Sequence, residues 1–124
     1  MVRFNRGSLG GNIPCHGKET GVSKYSYLEI AMSTSGYTNM VSVRYFRQII
    51  GHDAADSFRV EWYDGINWNL IEEKNQFNQP DYTDPWVFLP SDAFDNSDFK
   101  LRFVDECGAV SEKVYLDNVE IRAD

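Results

Sequence analysis

Cysteine and histidine are scarce in this chain: two of each, Cys15, Cys107, His16 and His52. With no Cys-x-x-Cys pair, a structural zinc site lacks its ligands. Basic residues are few as well, 12 against 19 acidic ones, for a net charge of −7. That balance argues against nucleic acid and against an anionic membrane, since both require a basic surface. No apolar run approaches the roughly 20 residues of a membrane-spanning helix, and no charged-then-apolar signal segment opens the chain. Catalytic signatures are missing too. There is no Gly-x-Ser-x-Gly elbow, no phosphate-cradling glycine loop and no His-Glu-x-x-His. Carboxylate pairs alone do not make a glycosidase, because 19 acidic residues always supply some pair. The expectation is a protein that is not an enzyme, suited to a neutral polymer, a cationic partner or a divalent cation.

What is present is the material of one folded domain spanning residues 1–124. Hydrophobic residues make up 42% and charged residues 25%, a composition that supports a core. Aromatics reach 15%, with three Trp, seven Tyr and eight Phe. They favour strands and, where exposed, sticky surfaces. Met1 directly precedes the strand-like Val2-Arg3-Phe4, so the chain reads as a module of a longer protein.

The apolar period is two almost throughout. Val41, Val43 and Tyr45 alternate with Ser42 and Arg44. Phe58, Val60 and Trp62 alternate with Arg59, Glu61 and Tyr63, and this second run ends at an Asp64-Gly65 turn. Further strands are expected at 2–5, 25–32, 67–71, 86–89, 99–104 and 113–122. That makes about eight strands and one short helical turn at Ser91–Phe94 capped by Ser91. Longer polar connections cover 7–21 and 74–85. The fold class is all-β, an antiparallel β-sandwich with jelly-roll topology.

Three segments carry a family resemblance. They are 53–68 with its Asp64-Gly65 hairpin and Trp68, Phe99-Lys100-Leu101-Arg102-Phe103, and Val114-Tyr115-Leu116-Asp117-Asn118-Val119-Glu120-Ile121. In this order they resemble jelly-roll accessory domains of secreted multidomain proteins, the group containing carbohydrate-binding modules and MAM-like domains. The MAM pattern carries more cysteines than the two here. The resemblance implies a secreted, extracellular module, acting as a monomer, that binds a polysaccharide beside a neighbouring catalytic domain. The alternative is a structural or adhesion spacer that contacts protein and has no sugar site.

The candidate site residues follow from phase and position. Tyr63 is outward by phase, and Tyr82 lies in the long polar connection; both suit a sugar platform. Trp68 and Trp86 read as core, Trp86 because it is in phase with Phe88, although Trp86 beside Pro85 is retained as a ligand-binding candidate. Arg59, Glu61 and Arg102, with Arg44 and Lys100, form an outward ladder. It is either a solvated charge-paired face or a polar groove for sugar hydroxyls. Asp117 is in phase with Val119 and Ile121, unless a bulge after Leu116 interrupts the phase; an inward carboxylate needs backbone amides, an arginine or a cation as partner. In carbohydrate-binding modules of this kind, an aspartate of the closing strand often ligates a structural calcium. The resemblance therefore makes Asp117 the first expected ligand and Glu19, in the early loop, the second. The acidic loop His52–Asp56 reads as a solvated turn capped by Asp56, or as a site for a cation or for sugar hydroxyls. Cys15 and Cys107 are expected either as a disulfide or as two buried thiols.

Overall fold

Period-two alternation buries one face of each strand, and two such faces packed together make a sandwich. The computed structural model describes residues 2–6, 11–14, 24–54, 56–74, 80–82, 86–107 and 113–124. Ten strands run through them: β1 (Val2–Arg6), β2 (Gly11–Pro14), β3 (Lys24–Ala31), β4 (Val41–Ile50), β5 (Ser57–Tyr63), β6 (Trp68–Lys74), β7 (Pro80–Tyr82), β8 (Val87–Phe88), β9 (Lys100–Cys107) and β10 (Lys113–Ala123). One sheet has the order β1-β10-β4-β7, with β2 also on β10 and β8 also on β4. The other is β3-β9-β5-β6. All pairings are antiparallel.

β1 and β2 share one edge of β10, and β7 and β8 share one edge of β4. The ten strands therefore fill eight positions. The chain alternates between the sheets except at the β5–β6 hairpin, which is jelly-roll winding. The two strands beyond the expected eight, β2 and β7, lie in the polar segments that read as connections.

The core lies between the sheets. Val41, Val43, Tyr45 and Ile49 of β4 and Val114, Leu116, Val119 and Ile121 of β10 meet Phe58, Val60 and Trp62 of β5 and Leu101 and Phe103 of β9. Tyr45 meets Phe103 edge to face at 5.1 Å, and Phe103 stacks on Phe58 at 6.5 Å. Ser91–Ala93 forms a short 3-10 turn. Its cap residue is Pro90 rather than Ser91, and no side chain caps it.

Charge also enters the inner face of β4. Arg47 continues the buried phase of β4 and is 5% exposed. Its Nη2 donates to Glu72 Oε2 at 2.9 Å, and Nε pairs with Oε1. Glu72 reaches it because of a bulge: Glu61 is opposite Leu70, but Val60 is opposite Glu72. The extra residue turns Glu72 toward the core while Trp68 and Leu70 stay on the outer side. Burial, and then the nearby Glu72 carboxylate, push the Tyr45 hydroxyl far above its ordinary range.

The β5–β6 turn is closed by Asp64. Its Oδ1 accepts the Ile66 and Asn67 amides, both at 2.7 Å, and Oδ2 accepts Asn69 Nδ2 at 3.1 Å. Gly65 has φ +103°, a conformation that side chains disfavour.

Two outcomes follow from these features. Glu72→Ala leaves buried Arg47 without its carboxylate, and urea unfolding should show a loss of about 3–5 kcal/mol. Arg47→Met combined with Glu72→Leu should recover most of it; a loss below about 1 kcal/mol in the single variant is the magnitude of a surface pair and contradicts the burial account. The hydrogen bonds to Asp64, that from Asn67 first, lower its carboxyl pKa from the ordinary 3.8. Stability from this lowered value is present above the unfolded-state pKa and is lost as pH falls through the folded one. An NMR titration should place the Asp64 midpoint below 3.8; a midpoint at or above that value contradicts the bonding shown.

Candidate functional site

The strand registers of the four-stranded sheet set its outer face in rows. Glu29, Arg102, Glu61 and Leu70 form one row across β3, β9, β5 and β6. Tyr27, Val104, Arg59 and Glu73 form the next, and Ala31, Lys100, Tyr63 and Trp68 the row on the other side. Four strands at roughly 4.8 Å spacing give a surface about 14 Å across.

Charges on this face are paired in a chain. Arg59 Nη1 donates to Glu106 Oε2 at 3.2 Å, and Arg59 Nε lies 3.8 Å from Glu61 Oε1. Arg102 donates to Glu61 through Nε at 3.3 Å and Nη2 at 3.4 Å. The Arg102 guanidinium also lies 3.8 Å from the centre of the Trp68 ring. Tyr63 and Trp68 are tilted against each other at 5.2 Å, with Lys100 Nζ 5.3 Å from the Tyr63 ring. Asn96 Nδ2 donates to Tyr63 O at 3.0 Å and fixes that end of β5.

Beside this network Tyr27 stands 67% exposed. Tyr27, Arg59, Arg102 and Val104 line a shallow depression. Together with Leu70, 58% exposed, this gives two apolar surfaces flanking fixed guanidinium and carboxylate groups. Such a face offers C–H stacking and directional hydrogen bonds to a ligand with hydroxyls.

The structure thus brings together Tyr63, Arg59, Glu61 and Arg102. Trp86 is not with them. It precedes β8 and lies half-buried on the outer side of the other sheet, near Arg122 and Arg44. Its expected core position is corrected: Val87 and Leu89 hold the inward phase, and Phe88 is 67% exposed. Arg44 belongs to that sheet as well, apart from the Arg59–Arg102 ladder. In β7 the Tyr82 backbone pairs with Phe46 of β4, on the same sheet as Trp86; its side chain lies outside the described set. Trp68, expected in the core, is half-buried on the outer face, because β6 carries it in register with Tyr63. Tyr27 carries no signal of its own in the sequence, because an aromatic inside a strand reads as core and sugar platforms are expected on loops.

Asp117 does not face the core. Val114 and Leu116 hold the inward phase before it, a register shift falls between Asp117 and Glu120, and Asn118 has φ +49°. Asp117 Oδ1 accepts the Asn118 amide at 2.8 Å. That position removes the burial argument for a cation at Asp117. Glu19 and Cys15 lie outside the described residues, as does the side chain of Cys107. Among the described residues no cluster of three or more His, Cys, Asp or Glu is placed to hold a metal. No helix among them is long and apolar enough to cross a membrane.

A fully buried carboxylate does occur, at Asp105. It lies opposite Phe58 and pairs with His52 Nε2 at 2.7 Å, both side chains fully buried. No substrate reaches such a pair; it anchors the segment after β4 to β9. In that segment Asp56 Oδ2 accepts the Asp53 amide at 2.8 Å, and Asp53 O accepts the Asp56 amide at 3.1 Å. Asp56 thus closes the expected turn, but the turn is not solvated: both His52 and Asp56 are buried.

No family model matches the chain, and no curated protein matches it. Among solved structures it is similar to a cleaved adhesin domain of Lys-gingipain from Porphyromonas gingivalis. The TM-score is 0.61 at 15% sequence identity, covering 98% of this chain and 82% of that one. At that identity the likeness establishes the β-sandwich fold and leaves the ligand to the chemistry of the surface.

His52→Ala leaves Asp105 buried and unpaired, and denaturant unfolding should show a loss of about 3–5 kcal/mol. An unfolding midpoint equal to that of the parent protein contradicts an anchoring role.

Proposed function

We propose that this chain is a non-catalytic carbohydrate-binding module of a secreted multidomain protein. It holds a polysaccharide on the outer face of the four-stranded sheet, keeping a neighbouring catalytic domain near its substrate. The observation that carries this reading is the exposed Tyr27 ring beside the Glu106–Arg59–Glu61–Arg102 chain. A sugar ring stacks its C–H face on an aromatic, while its hydroxyls meet fixed forks and carboxylates. Binding sites on rigid sheets lose little freedom when occupied, because neighbouring charges already hold each polar group.

A second reading is an adhesion module that contacts protein. Ile66 in the β5–β6 turn is 82% exposed, and Leu70 further along β6 is exposed with it. Apolar side chains at a sheet edge suit a protein partner, and the structural neighbour is an adhesin domain.

Affinity electrophoresis through gels containing a panel of soluble neutral polysaccharides separates the two. Retardation on at least one gel is expected, with Tyr27→Ala and Trp68→Ala each weakening it roughly tenfold. Parent mobility unchanged on every gel, with the fold intact, overturns the sugar reading in favour of the adhesion module.

A further inference from the structure

The outer face of the six-stranded sheet carries a second cluster, of different chemistry. Arg44 lies opposite Glu120, and Arg122 lies opposite Ser42 on one side and Arg3 on the other. β8 places Phe88 opposite Ser42 and Val87 opposite Val43, so Trp86, one residue earlier, comes beside Arg44. The guanidinium of Arg122 lies 4.3 Å from the centre of the Trp86 ring and that of Arg44 6.0 Å from it. Phe88, in the adjoining row, is 67% exposed. Two arginines thus share one indole beside an exposed phenyl ring, with Glu120 as the acidic neighbour in register.

We propose that Arg44, Arg122, Trp86 and Phe88 form a second glycan-binding surface, which takes the carboxylate of a uronic acid carried on an otherwise neutral polysaccharide. The inference rests on the polysaccharide reading and names the substituent recognised. Planar guanidinium forks match a carboxylate in two-point geometry, and stacking on an aromatic ring keeps the fork ordered. Phe88 and Trp86 supply the apolar surface for the C–H face of the same sugar. A densely charged polyanion is disfavoured by the −7 net charge of the chain. A single carboxylate on a neutral chain meets the two arginines without bringing that long-range repulsion. The surface lies on the opposite side of the sandwich from Tyr27, so each face can be altered alone.

The test uses affinity gels containing glucuronoxylan and gum arabic, in which single uronates are carried on neutral chains, each in its native form and after reduction of its uronates to neutral sugars. Native material should retard the protein roughly tenfold more strongly than the reduced form for at least one of them. Arg44→Gln and Arg122→Gln should each bring native binding down to the reduced level. Arg122→Lys, which keeps the charge and loses the fork, should fall between. Tyr27→Ala should weaken both forms alike. Thermal unfolding of each variant identifies any that fails to fold, and high salt, which screens the carboxylate contact in the unmutated protein, should erase the difference between native and reduced gels. Equal retardation by native and reduced forms throughout overturns the second surface alone. Retardation on no gel in either form also overturns the second surface, and the polysaccharide reading falls with it when the neutral panel shows none as well.

Discussion

Arg47 lies in phase with the apolar side of β4, so its guanidinium enters the layer between the sheets, where it is met by Glu72 of the opposite sheet. An unmatched charge there is costly, and pairing it constrains where β6 can sit. The bulge that opposes Val60 with Glu72 satisfies that demand. It also means that β6 serves both sides of its sheet. Glu72 turns inward, while Trp68 and Leu70, at even-numbered positions of the same strand, turn outward beside Tyr63 and Glu61. The buried pair and the outer aromatic surface are therefore consequences of one register.

The same division of labour runs through the sandwich. Inner faces are closed by aromatics, Phe103 against Tyr45 and Phe58, with His52 and Asp105 matched to each other inside. Outer faces keep their arginines, on one side in a chain with Glu61 and Glu106, on the other against Trp86. A net charge of −7 coexists with these arginine-bearing faces because the sheets collect the guanidiniums where aromatic rings and carboxylates hold them.

Much of this was legible in the sequence. Alternation at 41–45 and 57–63 located β4 and β5 and their inward sets, since a strict period of two admits one burial phase. Phase also placed Arg59, Glu61, Tyr63 and Arg102 outward, which is the core of the candidate site. What failed did so where period two is broken or two phases are equally apolar. Trp68 reads as core if it packs beneath the Asp64-Gly65 turn, but the hairpin register sets it beside outward Tyr63, and the bulge after Leu70 has no glycine to mark it. In β10 the left-handed Asn118 shifts the phase, and Asp117 read as inward when Asp105 is the buried carboxylate. In Trp86-Val87-Phe88-Leu89 both phases are hydrophobic, and pairing with β4 decides between them. Tyr27 was hidden because strand aromatics are used for cores and for surfaces alike.

The central claim is that a glycan lies across the outer face of the four-stranded sheet. The direct measurement is an NMR titration of the isotopically labelled domain with soluble oligosaccharides from a polysaccharide that retards it. Amide and side-chain shifts are expected to concentrate on Tyr27, Arg59, Glu61, Arg102 and Trp68. Shifts confined to the sheet edge at Ile66, or scattered without reference to either face, would contradict it.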